Sequence, residues 1–116
     1  MPEDTWGYRP ETGYQTGMDL IGFKVEALDG HIGKIDKYSD EVGASCLVVD
    51  TGVWIFGKHV LLPAGMISSI DVEDKRVYVE ASKSQIESAP EFDRDKHMGD
   101  SGYQRLVEEH YGRRAM

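Results

Sequence analysis

Four histidines, a single cysteine and 21 acidic side chains are the groups with which this 116-residue chain could do chemistry. Their spacing argues against most of it. His31, His59, His97 and His110 fall in no two-ligand metal pattern of the H-E-x-x-H kind. His31 follows the Asp29-Gly30 turn signal and reads as solvated; His59, beside Lys58, reads as a strand-surface residue; His110 reads as packed. Asp93-Arg94-Asp95-Lys96-His97 opens like a calcium loop, but Met98 stands where the sharp turn needs glycine and Gln104 stands at the last ligand position, which leaves a solvated charged loop. Cys46 lies in an apolar run with no neighbouring cation to favour a thiolate, so it reads as a buried, inert thiol. Gly52 to Lys58 has the glycines and lysine of a phosphate-binding G-x-x-x-x-G-K loop, but His59 stands where that motif needs Ser or Thr, and no G-x-S-x-G elbow occurs. With so many acids, two falling close together by chance is no sign of a glycosidase. The expectation is a protein that is not an enzyme, with no cofactor, no metal and no small-molecule substrate.

What the chain offers instead is contact. Gly52 and Gly57 bracket Val53-Trp54-Ile55-Phe56, the greasiest cluster in an otherwise polar chain. If alternation holds there, Ile55 points one way and Trp54 and Phe56 the other, so one set stays exposed or only partly covered. Aromatic anchors on a rim are what protein contacts are built from. Three readings stand: the arm or terminal helix covers the cluster, a second copy of the chain does, or a different protein does. Trp6 in the N-terminal arm and Tyr103 and Tyr111 near the other end join Trp54, Ile55 and Phe56 as candidate partner-binding residues.

Composition narrows the partners. A formal net charge of −8, with 13 scattered Lys and Arg residues, disfavours nucleic acid and anionic membrane surfaces, both of which need clustered cations. One cysteine permits no internal disulfide and suits a reducing compartment. Met1-Pro2-Glu3-Asp4 lacks the basic and apolar regions of a signal peptide, and the longest apolar run is four residues, far below the roughly 20 that a spanning helix needs. A cytoplasmic protein without membrane insertion is expected, of a length that fits one domain.

The elements that must position these residues follow from periodicity. Residues 1–17 show no period and read as an irregular arm, whose Trp6, Tyr8 and Tyr14 either pack on the domain or form a docking tail. From residue 18 a period of 2 sets in: Ile21, Phe23, Val25 and Ala27 share one face of a strand, Asp29-Gly30 marks a hairpin turn, and Ile32 to Tyr38 returns. Gly33 within that return suggests a bulge or a close backbone approach. The apolar run Cys46-Leu47-Val48-Val49 suits a strand inside a sheet; His59 to Leu62 is a strand ended by Pro63. Met66 to Val72 and Arg76 to Ala81 form a further pair across a polar connection, Glu73-Asp74-Lys75, with Val77, Val79 and Ala81 on one face.

Strands this short and closely spaced, with no helices between them, predict an all-β unit over 18–82. Curling into a small antiparallel barrel of about six strands, closed or partly open, removes the hazard of bare edges, with Gly22, Gly33, Gly52 and Gly57 as bend points. The extension 83–116 departs from this. Ser82 or Ser84 caps a short helical segment that Pro90 stops, and Tyr103, Leu106, Val107, His110 and Tyr111 form a helical stripe, started by Asp100 or Ser101 and ended by Gly112. So short a helix must dock, on the barrel or on a neighbouring subunit.

Taken in order, Leu20-Ile21-Gly22, Val25, Leu28-Asp29-Gly30 and Ile32-Gly33-Lys34-Ile35 resemble the opening hairpin of the PRC-barrel family. Val48-Val49-Asp50-Thr51-Gly52, Gly57-Lys58-His59-Val60 and Leu61-Leu62-Pro63 continue the resemblance, and Ser84 to Asp93 is similar to the segment after the barrel in stand-alone bacterial members. The family includes the cytoplasmic barrel of the photosynthetic reaction-centre H subunit and that of the ribosome-maturation factor. The resemblance implies a small β-barrel that acts by contact, and carries over no catalytic residue. Neither the H subunit's transmembrane helix nor an RNA-associated domain ahead of the barrel is expected here, which argues against a photosynthetic or a ribosomal role. The function expected is a non-catalytic, cytoplasmic protein-binding or scaffolding module, self-associating and stress-related; the alternative is a ribosome- or RNA-associated assembly factor.

Overall fold

A computed structural model describes residues 12, 14, 18–39, 45–52, 59–89, 92 and 101–112. Six strands and two helices follow one another: β1 (Lys24–Ala27), β2 (Gly30–Ser39), β3 (Cys46–Asp50), β4 (His59–Pro63), a 3-10 turn (Ala64–Met66), β5 (Ile67–Asp71), β6 (Arg76–Val79), α1 (Lys83–Glu87) and α2 (Ser101–Gly112). They build one sheet in the order β4-β3-β2-β1-β6-β5. The protein is mainly β, as its alternating pattern predicts.

The ladder between β1 and β6 is parallel, and in this the sheet departs from the antiparallel barrel expected above. The cause is the 3-10 turn. Every other neighbouring pair is antiparallel. Directions counted across the sheet therefore have β4 and β5 running the same way: the turn bends the chain without reversing it. β6 then folds back against β5 and runs alongside β1 in the same direction.

The same turn dictates curvature. Edge strands of a flat six-stranded sheet lie about 24 Å apart, five gaps of about 4.8 Å. Yet Pro63 and Ile67 sit on opposite edges with three residues between them, a link that reaches at most about 14 Å. The sheet must curl, and no ladder joins β4 to β5 among the described residues, so it curls without closing.

β2 makes the bend possible. Its first half, Gly30–Lys34, pairs with β1, and its second half, Lys34–Ser39, pairs with β3. The register slips on each side, once between Val25 and Glu26 and once between Ile35 and Lys37, and such bulges increase twist. At Gly33 a Cβ would stand 2.1 Å from the carbonyl oxygen of Asp50. Only glycine lets β2 pass there, so the close approach predicted at Gly33 is found. Gly57 lies outside the described residues.

Inside the curl sit Val25, Ile32, Ile35, Leu47, Val49, Leu62, Ile67 and Val77, each nearly inaccessible. Full burial of such a side chain contributes about 1.5–3 kcal/mol. Val77, Val79 and Ala81 share the inner face as expected, whereas Ile21 at the start of the first alternation is 51% exposed. The hairpin turn is centred on Leu28 and Asp29 rather than on Asp29-Gly30, because Ala27 pairs with Gly30. Asp29 thereby becomes an anchor for α1, where its carboxylate accepts the Lys83 N–H at 2.8 Å. Ser82 caps the same helix by accepting the Gln85 N–H at 3.1 Å.

Candidate functional site

The outer face of β6-β1-β2 carries a cluster of polar side chains. Alternation that sends Val25 inward sends Lys24 and Glu26 outward. Glu26 stands opposite His31 on β2 and opposite Tyr78 on β6. Its Oε2 accepts a 2.8 Å bond from Arg76 Nη1 and lies 2.7 Å from His31 Nδ1. A carboxylate only accepts, so Nδ1 carries the proton and a neutral ring keeps its lone pair on Nε2. The Glu26 side chain is 16% exposed, and Arg76 is its counter-ion. His31 is solvated, as its place after the turn predicts, and makes no second bond among the described residues.

Beside this cluster lies an open groove of about 360 Å³. His31, Ile32, Gly33 and Lys34 form one wall; Asp50, Thr51 and Gly52 form the other. The groove begins where the ladder between β2 and β3 ends, at Lys34 opposite Asp50. Asp50 holds the second wall by accepting the Gly52 N–H at 2.9 Å, and Gly52 takes a φ of 57° to permit it. Ile32 and Thr51 are buried, while His31, Lys34, Asp50 and Gly52 stand exposed. The arrangement is an apolar floor with a rim of mixed charge.

The candidate contact residues distribute unevenly. Trp54, Ile55 and Phe56 lie outside the described residues, as does Trp6; the connection that holds the first three starts directly after Gly52 of the groove wall. Tyr103 and Tyr111 are 4% and 1% exposed and belong to the core. Of the two docking options for the terminal helix, the barrel is the one realised: α2 packs on β4. Tyr103, Val107 and Tyr111 point inward, Phe92 meets Tyr103 with ring centroids 5.8 Å apart, and His110 Nε2 donates to the Gln85 carbonyl at 2.6 Å. Leu106, placed on the same stripe by its spacing, is 52% exposed. The contact stripe is narrower than the pattern and follows i, i+4, i+8.

The remaining groups are structural in character. Cys46 is buried, and loss of water pushes its thiol up to about 11 despite the nearby Lys37 ammonium. His59 Nε2 stands 3.6 Å from Asp36, both side chains partly exposed. The Tyr111 hydroxyl is buried with no hydrogen-bond partner among the described residues, and burial, with Tyr103 nearby, holds its proton far above the usual phenol range. Among the described residues no cluster of His, Cys, Asp and Glu is placed to hold a metal ion, and no helix is long and apolar enough to cross a membrane. His97 and the loop around it lie outside the described residues.

Reading residues one strand at a time misses the Glu26–Arg76–His31 cluster, since its members are up to 50 positions apart. The outward alternation of Lys24 and Glu26 was the available signal. A scan against protein-family models finds no match to the chain, and a search of the curated proteins finds no significant match.

Proposed function

We propose that this protein is a non-catalytic docking module, a small curled barrel that binds a protein segment or a second copy of itself in the cytoplasm. The observation that carries the reading is the open groove between His31–Lys34 and Asp50–Gly52. It leads, in sequence, straight into Val53-Trp54-Ile55-Phe56. An apolar floor and a rim of mixed charge support a surface for a chain, and the aromatic residues that follow Gly52 in sequence are its candidate anchors. The resemblance to the PRC-barrel family favours the same reading, including a stress-related role. The alternative of an RNA-associated factor has the formal charge of −8 against it.

Light scattering on the purified protein over a range of concentrations, paired with capture of partners from native lysate, tests the proposal. Trp54→Ala is expected to lower the assembly state or to remove captured proteins. A strict monomer whose Trp54→Ala variant keeps every captured protein would falsify the reading.

A further inference from the structure

The outward positions at one level of the sheet form a continuous row. Asp71 on β5 stands opposite Arg76 on β6, Arg76 opposite Lys24 on β1, Lys24 opposite Lys34 on β2, Lys34 opposite Asp50 on β3, and Asp50 opposite His59 on β4. Three cations from distant parts of an acidic chain thus stand side by side, on strands about 4.8 Å apart. We infer that the Arg76–Lys24–Lys34 row docks an acidic, extended segment of a partner protein, with a partner carboxylate between Lys24 and Lys34. The inference rests on the docking-module reading and names the partner's chemistry.

The three cations are not equivalent. Arg76 has its counter-ion in Glu26 at 2.8 Å. Lys24 and Lys34 are both exposed, and neither has an ion-pair partner among the described residues. Like charges directly opposite on one face destabilise a sheet. A chain with 21 acids and 13 Lys and Arg residues has ample means to put a carboxylate at one of the two positions, and it does not. A like-charged pair whose members make no ion-pair contact among the described residues is a local conflict of the sort that marks a binding surface.

Lys34 also belongs to the groove wall. A segment whose acidic side chain meets Lys24 and Lys34 can therefore lay its neighbouring residues over Ile32 and Gly33. The flanks decide between an acidic peptide and a polyphosphate or nucleic acid. Asp50 and Asp71 end the cationic row, and Glu73 and Asp74 occupy the turn beyond it. A long polyanion running across the row meets those carboxylates on both sides, whereas one or two side-chain carboxylates meet only the centre.

The test uses fluorescein-labelled peptides of alternating Glu and Val, and of alternating Gln and Val, read by anisotropy at low ionic strength with inorganic polyphosphate as competitor. The Glu peptide is expected to bind and the Gln peptide not. The double variant Lys24→Gln/Lys34→Gln should weaken binding about tenfold, the sum of two exposed and individually weak ion pairs. Lys37→Gln, on β2 but outside the row, should bind as the wild type does. Because it relieves a like-charge contact, Lys24→Gln should also raise the melting temperature at low salt, and the gain should vanish at high salt. Equal binding of both peptides, absence of binding, full binding by the double variant, or tighter binding of polyphosphate would each overturn the inference. The Trp54→Ala experiment keeps its outcome in every one of those cases, so failure here is separable from failure of the docking reading.

Discussion

The two edges of the sheet solve one problem in opposite ways. β4 is greasy throughout: Val60, Leu61, Leu62 and Pro63 are all buried after a half-exposed His59. It is protected by cover, with α2 laid against it. β5 carries no such load: after Ile67 come Ser68, Ser69, a partly exposed Ile70 and Asp71. It is no shorter than β4, and its polar character is what makes it a poor template for another strand. The difference shows that an unclosed barrel can leave one margin uncovered among the described residues, provided the apolar margin is the one that is roofed.

The largest effect should come from lifting the roof. Val107 is fully buried on the docked face of α2, and Val107→Asp places an unpaired carboxylate there, at a cost of about 4 kcal/mol or more. Urea unfolding should register that loss, and a dye for exposed apolar surface should report β4. Unchanged stability would mean that β4 is protected by something other than α2. Next in size is Gly33→Ala, which sets a methyl group against the Asp50 carbonyl where the chain bends from one margin's half of the sheet to the other's. Overpacking against a backbone atom should cost about 3 kcal/mol, again read by urea unfolding.

Tyr111→Phe should act with the opposite sign. It removes a buried hydroxyl that has no partner among the described residues, so the roof should hold about 1 kcal/mol more tightly; a loss of stability would reveal a bond to that oxygen. The smallest effect on stability is expected at the bare margin. Ser69→Val should change it by no more than about 0.5 kcal/mol, yet should speed aggregation under shaking by making that edge apolar. If aggregation is unchanged, polarity is not what protects β5.

Much of this contrast was legible along the chain, because alternation and apolar runs are local. Cys46 to Val49 announced an interior strand, Val77 to Ala81 showed which face turns inward, and Gly33 signalled a close approach. The parallel ladder of β1 with β6 was not legible, since it joins residue 24 to residue 76 and follows from the direction of the chain through Ala64–Met66. The narrower helix stripe was missed because spacing places Leu106 beside Val107 on one face without saying how far the docking surface extends. The candidate site was the least readable part. Its cations are neighbours only once the hairpin register is set, and a bulge at Ile32 shifts that register by one residue.

The roof over β4 has a consequence for biosynthesis. Leu61 and Leu62 leave the ribosome about forty residues before Tyr103 does, and translation supplies only about 5–20 residues each second. For those seconds the nascent chain carries its most adhesive strand with no means of its own to hide it. Until the last turn of α2 has been made, that strand depends on whatever the cell places beside the exit tunnel.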